Sequence, residues 1–122
     1  MERILICDDS RFIRSVLKDI FVKLGHTVID EVSNGAEAIQ AYEYYQPSLV
    51  TLDLEMPGID GIRALQLLVT SFPKAKVIII SGNRNKELLF ESLRSGAKYY
   101  ISKPVTEDKI IDAFRKLNIS TS

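Results

Sequence analysis

The chain has 122 residues, 46% of them hydrophobic and 26% charged, the profile of a single globular domain with one sizeable core. Lys+Arg and Asp+Glu each number 16, so the formal net charge is zero. That balance excludes the basic footprint needed for nucleic-acid binding and the polybasic face needed at a membrane surface. One cysteine and one histidine leave no internal disulfide and no Cys/His zinc site. No signal-peptide pattern opens the chain, and no apolar stretch is long enough to span a bilayer. The expected location is the cytoplasm.

In chain order, two periodicities alternate. Ile4–Cys7 is a short apolar run, and it reads as a strand buried on both faces. Ile13, Val16, Leu17, Ile20 and Leu24 follow helical spacing, with Gly25 placed to end that helix. Thr27–Val32 is a weaker strand pattern. Asn34-Gly35-Ala36-Glu37 resembles a capping box that opens a helix through Ala38 and Ala41. Leu49–Leu52 is a second buried strand, followed by a helix over Gly61–Phe72 with Asp60 as its N-cap. Val77–Ile80 is a third such strand. A helix over Asn85–Ser95 ends at Gly96, Tyr99–Ser102 forms a last, weaker strand, and Thr106 caps a closing helix that carries Ile110, Ala113, Phe114 and Leu117.

This β-α alternation predicts an α/β fold with a parallel sheet and helices on both faces. The flavodoxin-like order 2-1-3-4-5 is one of the few topologies that right-handed crossovers leave. In such sheets the site lies beyond the carboxyl ends of the strands, at the switch point between the first and third. Those ends lead into Asp8-Asp9, Asp53, Ser81-Gly82 and Lys103-Pro104. Carboxylates gathered in a small space need a proton or a cation. An Asp trio without His or Cys points to Mg²⁺ or Mn²⁺. Lys103 adds an ammonium suited to a phosphoryl oxygen, and Ser81 a hydroxyl. The set fits phosphoryl transfer onto an aspartate.

These residues resemble the CheY-like receiver domain of bacterial two-component response regulators. The resemblance runs through Ile4–Arg14, Ser33–Ala38, Val50–Gly61, Lys76–Gly82 and Ser95–Pro104, and so covers the whole chain, 1–122, as one domain. It implies the flavodoxin-like five-stranded sheet and a signalling role rather than an enzymatic one. By the resemblance, Asp53 is the phosphoacceptor. Asp9 is a direct Mg²⁺ ligand, Asp8 acts mostly through metal-bound water, and the Glu55 backbone carbonyl completes the protein's coordination. Lys103 pairs with the phosphoryl group, Ser81 moves toward it, and Tyr100 turns inward. Gly82 leaves room for the phosphodonor, while Glu55 and Asn83 occupy the positions that tune phosphoryl lifetime. The Lys103–Pro104 bond is often cis in this family. A sensor histidine kinase is the implied donor. A downstream protein target, or a second copy in a homodimer, is the implied partner of the face made by the fourth helix, fifth strand and fifth helix. Leu89, Phe90 and Tyr100 are the candidate contacts there.

Three departures from the family pattern stand out. Val105 replaces a frequent Phe, Tyr99 is bulky where Gly or Asp is common, and Glu55 is more typical of chemotaxis methylesterase receivers. Chemotaxis is the favoured pathway by resemblance of Ser10–Arg14 and Val50–Gly61. The alternatives are the receiver portion of a methylesterase or transcription factor, a phosphorelay shuttle, a haloacid-dehalogenase-type phosphatase built on Asp53 and Glu55, and a binding module without phosphorylation. Only Asn118–Ser122 follow the last helix, and the expectation is a free-standing regulator or a shuttle in a phosphorelay. Cys7 reads as a core thiol and His26 as a solvated turn residue. Tyr42, Tyr44 and Tyr45 read as packing or frayed residues at a helix end.

Overall fold

A computed structural model describes residues 1–58 and 60–121. Five strands alternate with five helices: β1 (Arg3–Cys7), α1 (Arg11–Lys23), β2 (Thr27–Val32), α2 (Gly35–Tyr45), β3 (Leu49–Leu52), α3 (Gly61–Ser71), β4 (Val77–Ser81), α4 (Lys86–Arg94), β5 (Tyr99–Ser102) and α5 (Glu107–Lys116). The sheet is parallel throughout, in the order β2-β1-β3-β4-β5. The predicted topology is therefore the observed one.

Strand alternation divides the core into two layers. Ile4, Ile6, Leu49, Ile78, Ile80 and Ile101 face one side, against Leu17 and Phe21 of α1 and Ile110, Ala113 and Phe114 of α5. Leu5, Cys7, Val50, Leu52, Val77 and Ile79 face the other, against α2 and α3 through Ala38, Ala41, Tyr42, Leu65 and Leu68. With both faces covered, the strands need no polar alternation, which is why they read as continuous apolar runs.

The helix starts follow local chemistry. The side chains of Ser10, Asn34, Asp60, Asn85 and Thr106 each accept a backbone N–H in the first turn of the helix they cap. At α2 the Glu37 carboxylate answers the cap, accepting from the Asn34 side-chain amide at 2.8 Å and from Ser33.

Two packing features go beyond the residues singled out in the sequence. Phe21, which shares the apolar stripe of Leu17 and Leu24, is fully buried and stacks on Phe114 with ring centroids 5.7 Å apart. His26 is buried, not solvated: its Nδ1 accepts the Glu2 N–H at 2.8 Å, and its ring meets the edge of Phe114 at 5.2 Å. The turn that carries His26 lies under the end of α5, a neighbour more than eighty residues away in sequence. Tyr42 is buried on Phe72, whereas Tyr44 is exposed.

Gly61 sets how tightly α3 follows the loop after β3. Its N–H donates to the Leu54 carbonyl at 3.2 Å, and a Cβ there would fall inside contact distance of the Leu54 backbone. Gly61→Ala is expected to cost about 2–3 kcal/mol in urea unfolding, because backbone rather than a flexible side chain must yield. Phe114→Ala is expected to cost roughly 3–5 kcal/mol in the same measurement.

Candidate functional site

Register brings the site together. Cys7 and Leu52 are paired at the ends of β1 and β3, and Ser81 and Ser102 at the ends of β4 and β5. Just past these pairs, the Asp53 N–H donates to the Cys7 carbonyl at 2.9 Å, and the Lys103 N–H donates to the Ser81 carbonyl at 3.0 Å. The Asp8 N–H donates to the Val32 carbonyl at 3.0 Å, which ties the β1 end to β2. Asp8, Asp53 and Lys103 thus leave the sheet at one rim as its next residues, beside Ser81, the last residue of β4.

Asp8, Asp9 and Asp53 each offer a carboxylate oxygen, all within 4.8 Å of one another. Asp8 and Asp53 are buried and Asp9 is exposed. The carboxylates are oriented individually. Asp8 Oδ1 accepts the Ser10 N–H at 2.9 Å, and Asp53 Oδ1 accepts the Glu55 N–H at 3.0 Å. The remaining oxygens turn toward Lys103, whose Nζ lies 2.9 Å from Asp8 Oδ2 and 3.4 Å from Asp53 Oδ2. Asp9, Asp53, Glu55, Gly82 and Lys103 line an open cleft of about 320 Å³.

Charge in this cleft is costly. Burial raises the Asp53 pKa above the usual carboxylate value; the Glu55 N–H pulls it down, Asp8 pushes it up again, and Lys103 pulls it down. Burial alone would lower the Lys103 pKa, but Asp8 and then Asp53 outweigh it and hold the ammonium above its ordinary value. Cys7, one residue before Asp8, is buried, and burial pushes its thiol well up, with Asp30 and Asp8 adding to the effect. It is a protonated core thiol.

The donor set fits a hard divalent cation. It offers carboxylate oxygens from three residues at close range, and among the described residues no Cys or His joins the group. Gly82 leaves the approach open, since a Cβ there would meet only Lys103 Cδ, at 4.0 Å.

Beyond the carboxylates, polar contacts run outward in series. Ser81 Oγ donates to Glu55 Oε1 at 3.4 Å and accepts the Asn83 N–H at 3.1 Å. The Tyr100 hydroxyl donates to the Asn83 carbonyl at 2.7 Å. Ser81, Glu55, Asn83 and Tyr100 are therefore in one chain of contacts. Leu89 lines a cleft of about 400 Å³ with Tyr100, Asn83 and Arg84. Phe90 is 55% exposed, while Leu88 packs on the core. The apolar triplet Leu88–Phe90 thus divides between interior and surface. The Lys103–Pro104 peptide bond is cis.

Arg14 was not singled out by the sequence, yet it supports the acidic loop. Its guanidinium donates to the Asp8 carbonyl at 2.7 Å and pairs with Glu31 at 3.4 Å. Helical spacing places Arg14 one turn after Ser10, but its partner on β2 is a tertiary contact that spacing does not encode.

A parallel five-stranded sheet with acids after β1 and β3, a hydroxyl at the end of β4 and a lysine after β5 defines a receiver, and the chain belongs to the response regulator receiver domain family, whose model matches residues 4–115. It is 37% identical to the chemotaxis protein CheY of Thermotoga maritima, over 96% of this chain and 98% of that protein. It is 40% identical to the chemotaxis protein CheY of Bacillus subtilis, over 93% and 95%. A chain of the crystal structure of the CheX–CheY–BeF3–Mg²⁺ complex from Borrelia burgdorferi matches with a TM-score of 0.91 and 34% identity, covering 97% of this chain and 90% of that one. Among the described residues, no helix is long and apolar enough to cross a membrane.

The raised pKa of Asp53 has a consequence for stability. Its folded value lies above its unfolded one, so the ionised carboxylate costs stability once pH has risen past both. Without divalent cations, Asp53→Asn is expected to raise the thermal midpoint at pH 7. The gain should shrink in acid and disappear below about pH 3, where the carboxyl is protonated in both states. An Asn variant that melts lower at pH 7 would contradict this balance.

Proposed function

We propose that this receiver is a phosphoacceptor of chemotaxis-type two-component signalling in the cytoplasm, taking a phosphoryl group onto Asp53 from the phosphohistidine of a sensor histidine kinase. The observation that carries the proposal is the placing of Asp53: buried, at the floor of an open cleft, with one oxygen fixed by the Glu55 N–H and the other facing Lys103. The chain is then the acceptor, with slow loss of its own phosphoryl group, rather than an enzyme that turns over a substrate.

In the transfer, an Asp53 carboxylate oxygen attacks phosphorus in line. The phosphorus–nitrogen bond breaks, and its electron pair leaves with the histidine nitrogen. Lys103 neutralises oxygens that gain charge, and its ammonium is already in place. Asp9, Asp8, Asp53 and the Glu55 backbone carbonyl are the groups that would hold Mg²⁺ or Mn²⁺. When bound, such an ion supplies further neutralisation of phosphoryl charge.

The polar series from Ser81 to Tyr100 supports the switching role. A phosphoryl oxygen on Asp53 competes with Glu55 for the Ser81 hydroxyl. Movement of Ser81 disturbs the Asn83 N–H, and with it the Asn83 carbonyl that holds Tyr100. The face of α4, β5 and α5 then changes between two arrangements. A differential of about 3 kcal/mol shifts such a balance roughly 150-fold. Leu89, Phe90 and Tyr100 are the contacts proposed for a downstream protein or a second copy. Glu55 and Asn83, at the rim, are the residues proposed to tune phosphoryl lifetime.

Intact mass after incubation with acetyl phosphate and Mg²⁺ tests the proposal. The wild type is expected to gain one phosphoryl group and Asp53→Asn none, and Lys103→Met should react at least about a hundredfold more slowly. A phosphoryl group on the Asn variant would remove Asp53 from the role. Steady release of phosphate from simple phosphomonoesters would favour a phosphatase instead.

A further inference from the structure

We propose that Lys109 is a positioning residue that fixes the loop bearing Lys103; the inference rests on the phosphoacceptor reading above. Lys109 lies in the first turn of α5, where its N–H donates to the capping Thr106 hydroxyl at 3.2 Å. A cation in that turn opposes the helix dipole, which favours acids such as the adjacent Glu107 and Asp108. The Lys109 side chain is half-buried and turns back toward β5. Its Nζ donates to the Ser102 carbonyl at 2.9 Å and to the Pro104 carbonyl at 2.9 Å. These two carbonyls flank Lys103.

Lys103 is consequently held on three sides. Lys109 grips Ser102 before it and Pro104 after it, and the Lys103 N–H is bound to the Ser81 carbonyl at 3.0 Å. Only the side chain is free to reach inward, to Asp8 and Asp53. One ammonium on α5 thus sets the position of another at the site without touching the reacting atoms. Charge-assisted hydrogen bonds suit this task, because they are stronger than neutral ones. An arginine could reproduce them, whereas a methionine of similar length could not.

Acetyl phosphate labelling of the full chain, followed by intact mass over time, tests the assignment. Thermal midpoints are taken first, and Lys109→Gln replaces Lys109→Met should the latter not fold. Lys109→Met is expected to gain its phosphoryl group about tenfold more slowly than wild type, since a shift of the Lys103 loop by less than the ~1 Å that can cost about a hundredfold is enough to slow transfer. Lys109→Arg is expected to recover most of that loss. Over longer incubation, the double variant Lys103→Met/Lys109→Met is expected to be no slower than Lys103→Met alone. A wild-type rate in Lys109→Met overturns the assignment. So does a tenfold loss that persists when Lys103 is already absent, since Lys109 would then act elsewhere. A wild type that gains no phosphoryl group overturns the phosphoacceptor reading itself.

Discussion

Three carboxylates in one small cleft are held against their mutual repulsion chiefly by a single ammonium. Lys103 sits between Asp8 and Asp53, and both of these acids are buried. Desolvation disfavours every charge in that arrangement, so the geometry persists only because opposite charges are adjacent and the outer oxygens are satisfied by backbone N–H groups. The rest of the fold serves this balance. Parallel register delivers Asp8 and Asp53 from neighbouring strands, and the β4–β5 pair delivers Ser81 and Lys103. Helices on both faces supply the two-layer core that keeps those strand ends fixed.

The same balance leaves the site unfinished, in a useful sense. Asp53 is raised in pKa, so a proton or a nearby cation relieves the charge that burial makes costly. Ser81 is engaged with Glu55 rather than with Asp53 or Lys103. The hydroxyl is therefore available to a new acceptor only if an existing contact gives way, and that contact lies in line with Asn83 and Tyr100. Chemistry at the rim and shape at the α4–β5–α5 face share one set of hydrogen bonds.

The parts of the structure that follow local rules were legible in the sequence. Continuous β-branched runs marked the central strands, and capping residues marked the helix starts. The strand-end rule gathers Asp8, Asp9, Asp53, Ser81 and Lys103 from the sequence alone. What escaped was tertiary. His26 resembles a surface turn residue until Phe114 is brought over it. Phe21 lies on the apolar stripe of α1, but its stacking partner Phe114 comes from α5. Gly61 carries no sign of its close approach to Leu54. The direction of the Ser81 hydroxyl and the backward reach of Lys109 depend on which groups arrive from other loops. Residue types and spacing cannot encode those choices.

Calorimetric titration of Mg²⁺ into wild type and Lys103→Met tests the central electrostatic claim most directly. If the Lys103 ammonium is what offsets the charge of the acidic trio, its removal leaves the carboxylates unrelieved, and Mg²⁺ should bind the variant more tightly than the wild type. Weaker binding to Lys103→Met, or equal binding to both, would contradict the account.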